Sequence, residues 1–227
     1  MHTKPDKAVV ILSGGLDSAT CMGIAAAAGC ELYPITFDYG QRHRIELDCA
    51  RQVAEHYGVR DRHKIIALPF LKEFGGSALT DDRLEVPRKF GETAIPVTYV
   101  PGRNLLFLSI AASYAEVTGA EAVYIGVNAL DYSGYPDCRP EFISGMEKVV
   151  ALATKAGAEG KRLRIQTPLL HWSKAAIIRE GTRLGVPYHL TTSCYNGGEE
   201  ACGECDSCRL RLKGFAEAGL KDPIRYK

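Results

Sequence analysis

Ala8-Val-Val-Ile-Leu12, running directly into Ser13-Gly14-Gly15-Leu16-Asp17-Ser18, decides how the rest of this chain is read. Five apolar residues in succession suit a buried parallel strand. The alanine-rich stretch from Leu16 to Gly29 has helical composition and ends on glycine. A strand that turns through two glycines into a helix makes a natural phosphate site. The glycines let the backbone turn sharply and approach an anion. The N–H groups at the helix start point outward, and the helix dipole favours negative charge there. Ser13 and Ser18 add hydroxyl donors. A plainer reading competes: a glycine turn in which Asp17 and Ser18 cap the helix.

Outward from this stretch, strand-like and helix-like segments alternate. Glu31 to Phe37, Lys64 to Leu68, Ala122 to Val127 and Arg162 to Gln166 read as further strands. Arg42 to Tyr57, Arg103 to Thr118, Glu141 to Ala156 and Ser173 to Leu184 read as helices. Alternation at this spacing indicates βαβ units, hence an α/β fold with a doubly wound, parallel, five-stranded sheet. Residues 69 to 95 show no clean period and hold Gly75-Gly76 and Pro87, which predicts a long excursion from the sheet. A change of character near residue 186 divides the chain into 1–185, the nucleotide-binding α/β domain, and 186–227, a cysteine-rich segment packed on it.

The chain has 227 residues, 46% of them hydrophobic and 24% charged, enough apolar material for a sizeable core. The formal net charge of +1 carries no basic footprint, so direct nucleic-acid binding is not expected. The apolar run at 8–12 is too short for a signal-peptide core, and no stretch approaches the roughly 20 apolar residues of a membrane span. A cytoplasmic protein with no membrane partner is the expectation. Four of the eight cysteines crowd together: Cys194, then Cys202, Cys205 and Cys208 at Cys-x-x-Cys-x-x-Cys spacing. Four thiolates at such spacing suit tetrahedral, structural zinc. An iron–sulfur cluster or a redox dithiol would use the same ligands and stays open at this point. Cys21 and Cys49 read as small core residues.

The glycine loop is neither a Walker A motif, which needs Lys-Ser/Thr after its second glycine, nor a Gly-x-Gly-x-x-Gly dinucleotide fingerprint. Its complete Ser-Gly-Gly-x-Asp-Ser resembles the PP-loop ATP pyrophosphatase superfamily. That resemblance implies an adenine nucleotide alpha hydrolase-like fold. Leu12, Ser13, Gly14, Gly15, Leu16, Asp17 and Ser18 would hold ATP phosphates, and magnesium would screen their charge. Arg103, behind Pro101-Gly102, and Lys174 begin helices on the ligand side of such a sheet, and with Asp17 they are the candidate catalytic residues. For either cation, an ordinary solvated position is the competing reading. Phe37 and Tyr39 are candidates to border adenine; for Phe37, core packing competes.

Three further stretches narrow the family: Gly126 to Phe142, Val100-Pro-Gly-Arg103-Asn104, and the terminal cysteines. Together with the glycine loop they resemble the 7-cyano-7-deazaguanine synthase family over essentially the whole chain, from about residue 8 to about 213. The resemblance implies conversion of 7-carboxy-7-deazaguanine, ammonia and ATP to the nitrile in queuosine biosynthesis, by a C–N bond-forming ligase. The carboxylate and then the amide would be adenylated, releasing AMP and pyrophosphate. It also implies Mg2+ with ATP, one Zn2+ per chain and a homodimer. Asp131, Asp137 and Glu141 are candidate acceptors for the base, and Tyr132 or Tyr135 candidate stacking partners. Capping and loop solvation compete for each carboxylate. Two alternatives remain: a PP-loop tRNA thiolase using Cys138, and a zinc-dependent nucleic-acid-binding protein. Near-neutral charge counts against both.

Overall fold

The computed structural model describes residues 6–86, 95–130 and 135–227. β1 (Lys7–Ile11) stands at the centre of a sheet that also contains β2 (Glu31–Asp38), β3 (Lys64–Ala67), β4 (Ala122–Tyr124) and β5 (Arg164–Gln166). The order is β3-β2-β1-β4-β5 and every pairing is parallel. Side chains alternate across the pleat. Val10 and Leu12 therefore enter a core shared with α1 (Leu16–Ala27), α2 (Ile45–His56), α7 (Lys174–Arg183) and α8 (Asp206–Ala218). Val9 and Ile11 enter the opposite core, with α3 (Phe70–Phe74), α4 (Arg103–Thr118) and α5 (Pro140–Ala153). Both faces are covered, as a doubly wound sheet requires. The chain runs outward from β1 through β2 to β3, then returns to place β4 on the other side of β1. The crevice beyond the carboxyl ends of β1 and β4 is thus the switch point where such sheets take ligands.

Several segment boundaries differ from the sequence reading. The fourth strand ends at Tyr124, not Val127, because the chain leaves the ladder to reach the switch point. The helix expected over 141–156 breaks at Thr154, whose backbone is extended (φ −109°, ψ 151°) and whose hydroxyl caps the short α6 (Lys155–Ala158). The expected excursion at 69–95 is partly ordered. It carries α3 and then a buried turn at Ser77 to Thr80. Arg42 fastens that turn by donating to the carbonyls of Asp81 and Leu84 at 2.9 and 2.8 Å. Helix α8 was not anticipated, because cysteines at its start masked its pattern.

One buried ion pair holds α8 to the chain on either side of it within the C-terminal segment. Arg211, 1% exposed, donates from Nε and Nη2 to the two carboxylate oxygens of Asp222 at 2.8 and 3.0 Å. Its Nη1 reaches Thr191 Oγ1 at 2.8 Å, and Tyr226 donates to Asp222 at 2.7 Å. The final residues pair with Ala201, through Ala201 N to Arg225 O (2.9 Å) and Lys227 N to Ala201 O (3.0 Å).

A second internal polar contact makes stability depend on pH. His63 Nε2 lies 2.7 Å from Thr36 Oγ1, which in turn donates to the Leu12 carbonyl at the end of β1. Burial, helped by the positive charge of Arg51, pushes the His63 pKa down from 6.5 to about 4. Between those values the unfolded chain binds the extra proton and the folded chain does not, so stability falls as pH drops through that window. The urea midpoint is expected to decline from pH 6.5 to about 4. His63→Gln should flatten that decline.

Candidate active site

Gly14 has φ +86°, and a methyl group there would run into the Glu46 carbonyl oxygen, so the loop closes against the first turn of α2 only with glycine. Ser18 Oγ holds the loop internally: it accepts from Ser13 N (3.1 Å), lies 3.0 Å from Ser13 Oγ and donates to Gly15 O (3.0 Å). Helix α1 has Gly15 at its N-cap, and among the described residues no side-chain cap is made there. Its first N–H groups therefore face the crevice, and the capping role considered for Asp17 is not realised. Gly126, beyond β4, lies against the same turn: a methyl there would sit 3.0 Å from Asp17 C and Ser18 N. From the C-terminal side, Thr192 N donates to Gly14 O at 3.1 Å.

The cavity above this loop is lined by Leu12, Ser13, Gly15, Leu16, Asp17 and Ser18. Lys174, at the first turn of α7, reaches it and contacts both Asp17 carboxylate oxygens at 2.8 Å. Lys174 is 9% exposed, which disposes of the solvated reading. Its stem lies against Gly214 of α8, where a side chain would collide with it. Arg103, at the start of α4, also lines the cavity; its Nη1 lies 3.3 Å from Tyr39 Oη. Phe37 both lines the cavity and stacks on Phe107, with ring centroids 4.1 Å apart, so its two competing readings coexist.

The expected base contacts divide. Tyr135 lines the cavity, 3% exposed, its hydroxyl 2.7 Å from Thr98 Oγ1. Asp137 does not line it. Its Oδ2 accepts from Asn104 N at 2.9 Å and so caps α4, which fixes the start of the helix that carries Arg103. Glu141 is exposed in the first turn of α5, where the helix dipole suits a carboxylate. Asp131 and Tyr132 lie outside the described residues. The sequence reading passed over Gln41, His43, Glu46, Thr192, Tyr195 and Arg211, all of which line the cavity. The available signal was His43-x-x-Glu46 at helical spacing just beyond the end of β2.

The four sulfurs of Cys194, Cys202, Cys205 and Cys208 lie within 4.8 Å of one another, and those of Cys202 and Cys208 are 3.9 Å apart. A tetrahedron with Zn–S bonds of ~2.3 Å has edges of about 3.8 Å. Backbone N–H groups of Cys202 and Cys205 approach the sulfurs of Cys194 and Cys202 at 3.4 Å each, as suits thiolates. Hydrogen bonds from the Cys205 and Cys208 thiols hold Cys194 well below the usual thiol range. This donor set fits a metal ion.

A doubly wound parallel sheet with Ser-Gly-Gly-x-Asp-Ser at its switch point defines the PP-loop class of nucleotide-using enzymes. Solved structures agree at the level of fold. A 4-thiouridine synthetase–RNA complex with bound ATP aligns with TM-score 0.50 and 20% identity, over 94% of this chain and 50% of that one. NMN synthetase from Francisella tularensis aligns with TM-score 0.50 and 15% identity, over 96% and 88%. The family model "Queuosine biosynthesis protein QueC" matches residues 7–219, and the chain belongs to that family. It is 60% identical to the 7-cyano-7-deazaguanine synthase of Oceanobacillus iheyensis, over 97% of this chain and 98% of that protein. Identity is 57% to the same synthase from Acetivibrio thermocellus, over 97% of each. Among the described residues no helix is long and apolar enough to cross a membrane.

Proposed function

We propose that this chain makes 7-cyano-7-deazaguanine from 7-carboxy-7-deazaguanine, ammonia and ATP. What carries the reading is the meeting, in one cavity, of the glycine loop, Lys174, Arg103 and Tyr135 in a chain with 60% identity to a synthase of that name. A carboxylate is a poor electrophile until its oxygen belongs to a phosphate leaving group, and an amide oxygen has the same difficulty in dehydration. One pyrophosphate-releasing site serves both steps. The α1 N-terminus and the Ser13 hydroxyl bind the β,γ-phosphates, while Ser18, whose proton goes to Gly15 O, shapes the loop that presents them. Lys174 neutralises charge that grows on the departing pyrophosphate, and Arg103 does so at the α-phosphate. Asp17 keeps Lys174 oriented and is the loop carboxylate available to magnesium, which when bound offsets phosphate charge. Tyr135 supplies a flat wall for the base.

The thiolase alternative fares worse. Burial, with the neighbouring Asp137 charge, pushes the Cys138 thiol up to about 12, a poor nucleophile at neutral pH. Purified protein given ATP, magnesium, ammonium and the carboxylate is expected to yield nitrile, AMP and pyrophosphate by mass spectrometry. ADP and phosphate as products would end the adenylation reading, and AMP without nitrile would end the substrate assignment.

The C-terminal segment, 186–227, acts as a strap. Zinc held by the four cysteines anchors Cys194, two residues beyond the Thr192 that bonds the loop at Gly14. Elemental analysis is expected to give one zinc per chain. Stripping it with a strong chelator should lower the melting temperature and weaken ATP binding together, whereas an unchanged ATP affinity in the folded apo-protein would separate strap from loop. A homodimer is the assembly we expect, and light scattering measures it directly.

A further inference from the structure

The cavity contains a histidine–carboxylate pair for which phosphate binding has no use. His43 is 3% exposed, and its Nε2 lies 3.2 Å from Glu46 Oε2. Its Nδ1 is buried and, among the described residues, has no hydrogen-bond partner. Both residues line the cavity, and Glu46 Oε1 would lie 4.0 Å from a methyl group placed on Gly15, within the phosphate loop. A carboxylate there repels polyphosphate unless a cation stands beside it. The neighbouring arginines do not serve. Arg42 is turned to Asp81 O, Leu84 O and Asp82, and Arg44 to Asp38. Among the described residues, His43 is the only ion-pair partner of Glu46.

We propose that His43 and Glu46 form the ammonium subsite: Glu46 binds ammonium by charge, and His43 takes its proton to release ammonia as the nucleophile. This rests on the proposed function above. Ammonium has no lone pair and is the form that prevails at neutral pH, so the reaction needs a base close to the activated carbonyl. His43 Nε2, 3.2 Å from Glu46 Oε2, is the acceptor within reach of an ammonium held on that carboxylate, and the imidazolium formed is stabilised by the carboxylate. Ammonium loses one proton to His43 Nε2. The nitrogen lone pair then forms the C–N bond, and the C–O bond to the phosphate breaks with its electron pair leaving on AMP. The nitrogen gives up a second proton to solvent as the adduct collapses to the amide. Acyl adenylate and ammonium thus yield amide, AMP and two protons.

His43→Gln and Glu46→Gln are to be compared with the unmodified enzyme in three assays: carboxylate-dependent ATP–pyrophosphate exchange, amide formation against ammonium, and hydroxamate formation with hydroxylamine, which is largely unprotonated at assay pH. Exchange should stay within about threefold of wild type, since adenylation needs no ammonium. The kcat/KM for ammonium should fall on the order of 10²-fold in both variants. With hydroxylamine the deficit should largely disappear, which loss of structure would not produce. Equal losses in exchange and amide formation would overturn the proposal, as would an equal deficit with hydroxylamine. A raised magnesium requirement at unchanged ammonium KM would assign the pair to a metal instead. Absence of carboxylate-dependent exchange in the unmodified enzyme would overturn the substrate reading itself, and is distinguishable because it needs neither variant. Should His43→Gln fail to fold, the isosteric Glu46→Gln carries the same comparison.

Discussion

Lys174→Ala is expected to lower turnover on the order of 10²–10³-fold, the usual cost of deleting a preorganised group that neutralises transition-state charge. Lys174 Nζ is held between both oxygens of Asp17 at 2.8 Å, and its side chain is only 10% exposed, so little solvent screens its charge. Removing it subtracts the cation from the phosphate loop and also leaves the Asp17 carboxylate facing polyphosphate alone. Lys174→Arg should rescue poorly. The compact ammonium fits between the two Asp17 oxygens in a largely buried site, and a broader, planar guanidinium does not reproduce that geometry. Single-turnover AMP formation measures the chemical step apart from product release. A loss confined to KM for ATP, with kcat intact, would mean that Lys174 binds ground state and transition state equally well.

Asp222→Ala is expected to cost about 3–5 kcal/mol, the range for a buried pair broken by removal of one partner. In a chain of this size that lowers the melting temperature on the order of 10 °C. The side chains of Arg211 and Asp222 are 1% and 4% exposed, so the guanidinium loses its counter-charge where little solvent reaches it. By contrast Glu55→Ala, which breaks the Arg60 pair at the surface, where the two side chains are 61% and 71% exposed, should change stability by less than about 1 kcal/mol. Thermal melts of the two variants side by side test the distinction. Arg211 also holds Thr191, next to the Thr192 that bonds Gly14, so ATP affinity should decline with stability in Asp222→Ala but not in Glu55→Ala.

The same residue types were read with unequal success, and the reason is distance along the chain. Ser13 to Ser18 are consecutive, and their meaning as an anion-binding turn is local. The four cysteines span fifteen positions, and their spacing alone brings sulfurs together. Asp137 looked like a base acceptor because an acidic residue in a loop beyond a strand often is one. Whether it meets a ligand or caps a helix depends on where α4 begins relative to that loop, and the fold sets it against Asn104 N. Arg211 carried no reading of its own, because helix α8 was not anticipated. Its burial arises only when Asp222, eleven residues on, folds back over it.

From the sequence by itself came the parallel α/β architecture, the glycine loop after the first strand, a cluster of four cysteines fit to hold a metal, and the family resemblance. The loop and the cysteines each rest on spacing within one short segment, where backbone geometry leaves few choices, whereas the architecture and the family resemblance rest on stretches spread along the chain. The tertiary structure alone decided the strand order β3-β2-β1-β4-β5 and therefore which loops share the crevice. It alone brought His43 and Glu46 beside the phosphate loop, joined Lys174 to Asp17 across 157 residues, and laid the cysteine-bearing strap on Gly14. Such contacts arise from packing two covered faces of one sheet, a condition on the whole chain that no short stretch of it records.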